Sequence, residues 1–98
     1  MTDQTGASTS DGITVRYWAG ARAAAGVASE TVPLAGAATL ADVLASVRSM
    51  HADNPRFGDV VTVCSVLVGD RPVGTADPAS VVLRPGDTVE LLPPFAGG

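Results

Sequence analysis

The distribution of apolar residues predicts an α+β domain, in which a mixed sheet of four to five strands carries one main helix. Ile13, Val15 and Tyr17 alternate with Thr14, Arg16 and Trp18, the two-residue period of a strand. Leu40, Val43, Leu44 and Val47 fall at i, i+3, i+4 and i+7, which places them on one helix face. Between and after these segments the order reads β-β-α-β-(β)-β, closing with a strand at Thr88 to Leu92.

Residues 1–12 are mostly Thr, Ser, Gly and Asp, and are expected to form a disordered leader before the domain at 13–92. After the first strand, Ala19 to Val27 is Ala-rich and reads as a connection with one helical turn. A second strand is expected around Ala28 to Leu34; Pro33 lacks an amide hydrogen, which places that strand at a sheet edge. The helix runs from Leu40 to about Met50. Thr39 and Asp42 have capping-box spacing, with Asp in place of Glu, and Arg48 sits near the negative end of the helix dipole. Pro55 is expected to stop any extension. The β-branched run Val60 to Val68 reads as a mostly buried strand. Gly69-Asp70-Arg71-Pro72 turns the chain, Asp77-Pro78 suggests a further turn, and Arg84-Pro85-Gly86-Asp87 matches a type II turn.

Composition narrows the function. A 98-residue chain makes one domain with a modest core, and 46% hydrophobic residues suffice to fill it. A net charge of −4, with six scattered Arg and no Lys, argues against nucleic acid. Without lysine, no side-chain amine can accept an isopeptide bond. Cys64 is the only cysteine, which excludes an internal disulfide, a Cys-based metal site and a four-cysteine iron–sulfur cluster. No secretory signal is recognisable, and no apolar run approaches the roughly 20 residues that span a bilayer. A reducing, cytoplasmic setting is expected, with no membrane contact.

The last six residues, Pro93-Pro94-Phe95-Ala96-Gly97-Gly98, form an unusual ending. Terminal glycines alone are weak evidence, because frayed tails are often glycine-rich. Here a strand delivers the chain and two prolines end its pairing and favour an extended path. Six residues reach roughly 20 Å at ~3.3–3.6 Å each. Gly97 and Gly98 lack Cβ atoms, so they suit a narrow channel in another protein. The terminal carboxylate is then the reacting group, and ATP-dependent adenylation would supply its leaving group.

The segment Leu91 to Gly98, preceded by Leu83-Arg84-Pro85-Gly86-Asp87-Thr88-Val89, resembles the end of the MoaD/ThiS family of ubiquitin-like sulfur carriers. The strand Ile13 to Ala19 and the helix start Thr39-Leu40 match in order and spacing, so the resemblance covers residues 13–98. The paired prolines are more like MoaD, the small subunit of molybdopterin synthase, than like the thiazole-pathway carrier. The resemblance implies a β-grasp fold. It also implies a cycle in which an E1-like enzyme uses ATP to adenylate Gly98 and a sulfur donor protein converts it to a thiocarboxylate. Pro93, Pro94, Phe95, Ala96 and Gly97 would enter the large subunit of molybdopterin synthase, in a heterotetramer. There sulfur would pass to cyclic pyranopterin monophosphate. No cofactor is bound by the carrier itself, and catalytic side chains belong to partners.

In a β-grasp sheet the first and last strands are parallel neighbours, which puts outward-facing Trp18 and Leu92 beside the tail as candidate docking contacts. Arg22 sits where the family often carries a basic contact. The competing readings are a carrier for thiamine thiazole or another sulfur acceptor, a ubiquitin-like protein modifier, and an interaction module with an idle tail. Cys64 reads as a buried small hydrophobe. His51 reads as a helix-end or solvent contact, and Asp53, Asp59, Asp70, Asp77 and Asp87 as turn residues. No paired-carboxylate site, nucleophile–base set or metal site is recognisable.

Overall fold

The computed structural model describes residues 12–94. The expected leader, apart from Gly12, and the tail residues Phe95, Ala96, Gly97 and Gly98 lie outside that range. The elements are β1 (Gly12–Tyr17), α1 (Ala19–Ala25), β2 (Ser29–Pro33), β3 (Ala38–Thr39), α2 (Leu40–Met50), α3 (Pro55–Val63), β4 (Ser65–Val68), β5 (Arg71–Pro72), β6 (Val82–Leu83) and β7 (Thr88–Leu92). A 3-10 turn at Pro78–Ser80 precedes β6. Five strands form one mixed sheet in the order β2-β1-β7-β4-β5, and β3 pairs with β6 in a small second sheet. β1 and β7 run parallel at the centre of the large sheet, with Val15 opposite Val89 and Tyr17 opposite Leu91. The other pairs are antiparallel.

Alternation along the central strands divides the sheet into two faces. Ile13, Val15, Tyr17, Val89 and Leu91 are buried, together with Leu40, Val43, Leu44 and Val47 from α2. Each such side chain contributes about 1.5–3 kcal/mol on leaving water. The α2 cap forms as read: Asp42 N–H donates to Thr39 Oγ1, and Thr39 N–H donates to Asp42 Oδ2, both at 3.1 Å. Pro33 does lie on an edge strand, and Pro72 occupies the opposite edge. The turn before β7 closes with Asp87 N–H donating to the Arg84 carbonyl at 3.0 Å, with Gly86 at φ +99°.

Three segments differ from expectation. Ala19 to Ala25 is a two-turn helix rather than a loop with one turn. Its alanines favour helix without displaying a polar–apolar stripe, so periodicity could not reveal it. Gly26, at φ +79°, ends it with an N–H bond to the Arg22 carbonyl. Pro55 starts a helix instead of ending one: it occupies the first turn, where its missing N–H costs nothing, and Asn54 caps Arg56 N–H. The expected strand at Val60 to Val68 is therefore split, and only Ser65–Val68 pairs in the sheet. Burial of Phe57 and Val61, four positions apart, outweighs the small helix penalty of the valines. Asp59 accordingly lies in a helix, not a turn. The expected main helix, α2, is thus joined by two shorter helices.

A polar cluster joins the edge strand to the helices. The Tyr17 hydroxyl donates to Glu30 Oε2 at 2.7 Å, and His51 Nε2 meets the same oxygen. His51 stacks on Phe57, with ring centroids 4.2 Å apart. So His51, at the end of α2, is held by a carboxylate and a ring rather than facing solvent alone. Burial, and then Glu30, raise the Tyr17 phenol well above its ordinary range. Glu30→Ala removes the acceptor of this buried hydroxyl. The unfolding free energy from urea titration is expected to fall by about 1–3 kcal/mol, with an unchanged m-value.

Candidate functional site at the base of the C-terminal tail

The central strand pair determines where the tail leaves. β7 ends at Leu92; Leu91 is fully buried, Leu92 and Pro93 are half-buried, and Pro94 is exposed. Pairing continues one residue beyond Tyr17, with Trp18 N–H donating to the Leu91 carbonyl at 3.2 Å. Trp18 and Leu92 therefore stand at the same end of the sheet, beside Pro93.

Trp18 is 39% exposed yet held on two sides. Its Nε1–H donates to Glu90 Oε1 at 2.9 Å, and the Arg16 guanidinium carbon lies 5.0 Å from the ring centroid. Arg16 and Glu90 are register partners across the parallel pair, so both face the same side of the sheet. The hydrogen bond and the cation–π contact fix the indole while leaving much of it open to a partner. Alternation along the two strands turns Arg16 and Glu90 away from the core but does not by itself reveal them as supports for Trp18. The signal was the register 16 to 90, which only a parallel pairing supplies.

After Trp18 the chain bends sharply into α1. Ala19 has φ +48°, a left-handed conformation costing roughly 1–2 kcal/mol for a residue with a Cβ. It is the only described non-glycine residue in that region. Gly20 follows and faces Pro93: a side-chain carbon placed there would meet the proline ring at 4.0 Å. Arg22 is exposed on α1 and borders an open depression of about 400 Å³ with Ala19, Ala23, Gly26, Val27 and Ala28. The structure thus brings Trp18, Leu92 and Pro93 together, with Arg22 on the helix that begins beside them. Gly97 and Gly98 are outside the described residues.

Cys64 is elsewhere. It follows α3 and is half-buried in a cleft of about 340 Å³ with Leu44, Arg48, Thr62, Val66 and Val73 among its walls. Burial pushes its thiol up to about 11. Among the described residues no group of three His, Cys, Asp or Glu side chains could hold a metal ion, and no helix is long and apolar enough to cross a membrane.

The ThiS family profile matches residues 15–98, from the first strand through the final glycine. The chain belongs to the ThiS family. It is a ubiquitin-like sulfur carrier of the MoaD/ThiS type. The molybdopterin synthase sulfur carrier subunit of Chlamydomonas reinhardtii is 33% identical over 86 residues, covering 88% of this chain and 98% of that protein. Among solved structures, SAMP1 from Haloferax volcanii superposes with a TM-score of 0.70 at 25% identity, covering 88% of this chain and 98% of that one. The HVO 2177 protein of the same organism gives 0.69 at 28% identity, covering 88% and 85%. These likenesses agree with the β-grasp fold expected from the sequence.

The placement of Cys64 has a measurable consequence. At pH 8 its reaction with a thiol-specific disulfide reagent is expected to be about a hundredfold slower than that of free cysteine, because little thiolate is present. The folded state keeps this proton longer than the unfolded state, so stability should decline as pH rises from about 9 to 11. A Cys64→Ser variant should lose the part of that decline below about pH 10 in pH-dependent urea titrations, whereas above it the Tyr17 phenol, also raised on folding, continues to lower stability.

Proposed function

We propose that this ThiS-family chain carries sulfur on the carboxylate of Gly98 for molybdopterin synthesis, as the small subunit of a molybdopterin synthase. The observation that carries this reading is the paired-proline exit from β7 beside a fixed, exposed Trp18. The 33% identity with the Chlamydomonas reinhardtii subunit over nearly its full length supports the choice of acceptor.

The chemistry follows from the terminus. A carboxylate is a poor electrophile, so an E1-like partner uses ATP to form an acyl-adenylate at Gly98. A sulfur donor protein then displaces AMP, leaving a thiocarboxylate. The carrier's part is to deliver this group: Pro93 and Pro94 hold the tail off the sheet, and Phe95 to Gly98 enter the partner. Trp18 and Leu92, with Arg22 nearby, dock the body against that partner, the large synthase subunit in a heterotetramer. Trp18 has the character of an interface anchor, a large ring already fixed before binding. Sulfur then passes to cyclic pyranopterin monophosphate.

A second reading, a ubiquitin-like protein modifier, is favoured by the likeness to SAMP1, described as a small archaeal modifier protein. Mass spectrometry of the chain incubated with ATP, an E1-like enzyme and a sulfur donor separates the two. Replacement of one oxygen by sulfur at the terminus is expected, and it should be absent when Gly98 is deleted. Conjugates that survive denaturation, without thiocarboxylate, would favour the modifier. Co-purification with a thiazole synthase instead of a pterin-binding subunit would redirect the acceptor to thiamine.

Trp18→Ala tests docking separately from chemistry. Its affinity for the large subunit is expected to fall at least about tenfold, roughly 1.4 kcal/mol. Wild-type affinity by calorimetry would remove Trp18 from the interface.

A further inference from the structure

The strands turn one face of the sheet away from the helices, and the registers order what it presents. Thr14 aligns with Thr31 and Thr88 at one end, and Leu92 aligns with Ser65 at the other, where Trp18 stands. Between these rows lie Arg16 and Glu90, the only charged residues that the strands place on this face. As register partners of opposite charge they are placed to pair with each other, yet they do not. The one side-chain ion pair among the described residues joins His51 to Glu30. Glu90 instead accepts the indole N–H of Trp18 at 2.9 Å, and Arg16 lies over the indole ring, 5.0 Å from its centroid. The acid is thus engaged by the ring, and the guanidinium is held on the ring with no carboxylate partner among the described residues. Leu67, the register partner of Glu90 on β4, and Leu92 are half-buried and add apolar surface around them.

We infer that Arg16, laid over Trp18, is the receptor for a carboxylate on the partner that docks at this corner. This rests on the proposed docking of Trp18 against the large synthase subunit. A guanidinium presents its N–H donors in a planar fork that matches the two oxygens of a carboxylate, and contact with an aromatic face holds it ready. Holding it in advance lowers the ordering cost that a long side chain otherwise adds to binding. Once a partner covers the indole and the leucines, water is excluded and the charge pair strengthens. The surface that fits is therefore an Asp or Glu beside an apolar side chain, the acid on Arg16 and the apolar group on Trp18 and Leu92. This preference is local, because the chain as a whole carries a charge of −4.

Two experiments on the full chain test this, one with the partner and one without. Arg16 is exposed, so its substitution leaves the core intact. In the first, calorimetry measures affinity for the large subunit of a molybdopterin synthase. Arg16→Gln is expected to weaken binding about tenfold and to flatten the loss of affinity with rising salt. Glu90→Gln keeps an acceptor for the indole N–H but removes the competing charge, so it should bind at least as tightly as wild type. In a Trp18→Ala background, Arg16→Gln should still cost about threefold, because the guanidinium meets the partner directly. No further cost in that background would reduce Arg16 to a support for the ring and overturn the inference. Wild-type affinity in Arg16→Gln, or weaker binding by Glu90→Gln, would do the same. In the second, phenylacetate is titrated into the chain alone, with phenylacetamide as the neutral control, and the side-chain N–H resonances of Arg16 and Trp18 are followed. Saturable shifts with phenylacetate only, lost in Arg16→Gln, are expected; equal shifts with both probes would overturn the inference. If the wild-type chain fails to bind the large subunit, the functional reading fails instead, and the phenylacetate titration still decides whether Arg16 receives a carboxylate.

Discussion

The parallel pairing of β1 with β7 is the constraint on which the rest of this structure depends. It joins segments as far apart as Trp18 and Glu90, 72 positions along the chain. Bringing such distant segments together costs loop-closure entropy, and the return is a buried row of Ile13, Val15, Tyr17, Val89 and Leu91 beneath the helices. The same register sets Tyr17 opposite Leu91, so one residue further on Trp18 stands beside the end of β7. A chain that ended on an edge strand would leave its tail without this neighbour.

The edges of the sheet complement this centre. Pro33 and Pro72 remove donors from the two outer strands, which limits pairing with other chains. Gly12 allows β1 to start close against β2: a Cβ there would lie 2.5 Å from the Val32 carbonyl oxygen. Tyr17, Glu30 and His51 then tie that edge to the end of α2. The buried hydroxyl has an acceptor, and no buried side-chain polar atom is left unpaired among the described residues.

Much of the fold could be read in advance where one local rule decided the outcome. The stripe from Leu40 to Val47 and the Thr39–Asp42 cap defined α2, and alternation defined β1 and β7. Reading failed where two local rules competed. From Val60 onward, β-branched residues indicated a strand, while Asn54-Pro55 and the spacing of Phe57 and Val61 indicated a helix. Packing of those two side chains into the core decided for the helix up to Val63. In Ala19 to Ala25, alanine left no pattern to read, and the docking of Ala21, with Ala24 and Ala25 beside it, shows which face is inward.

The candidate site divides in the same way. The prolines and the glycines at 97 and 98 are read directly from the chain, so the proposal of a reactive carboxylate there came from the sequence alone. Outward parity of Trp18 and Leu92 was also readable, because side chains alternate along any strand. Tertiary structure decided what surrounds them: Arg16 and Glu90 around the indole, and Gly20 against Pro93. The Trp18–Glu90 and Gly20–Pro93 approaches link residues about 70 positions apart through one parallel register, and no local pattern in the chain encodes that proximity. The proline-glycine segment was therefore legible from its residues, whereas what surrounds its base became visible only once β1 and β7 were side by side.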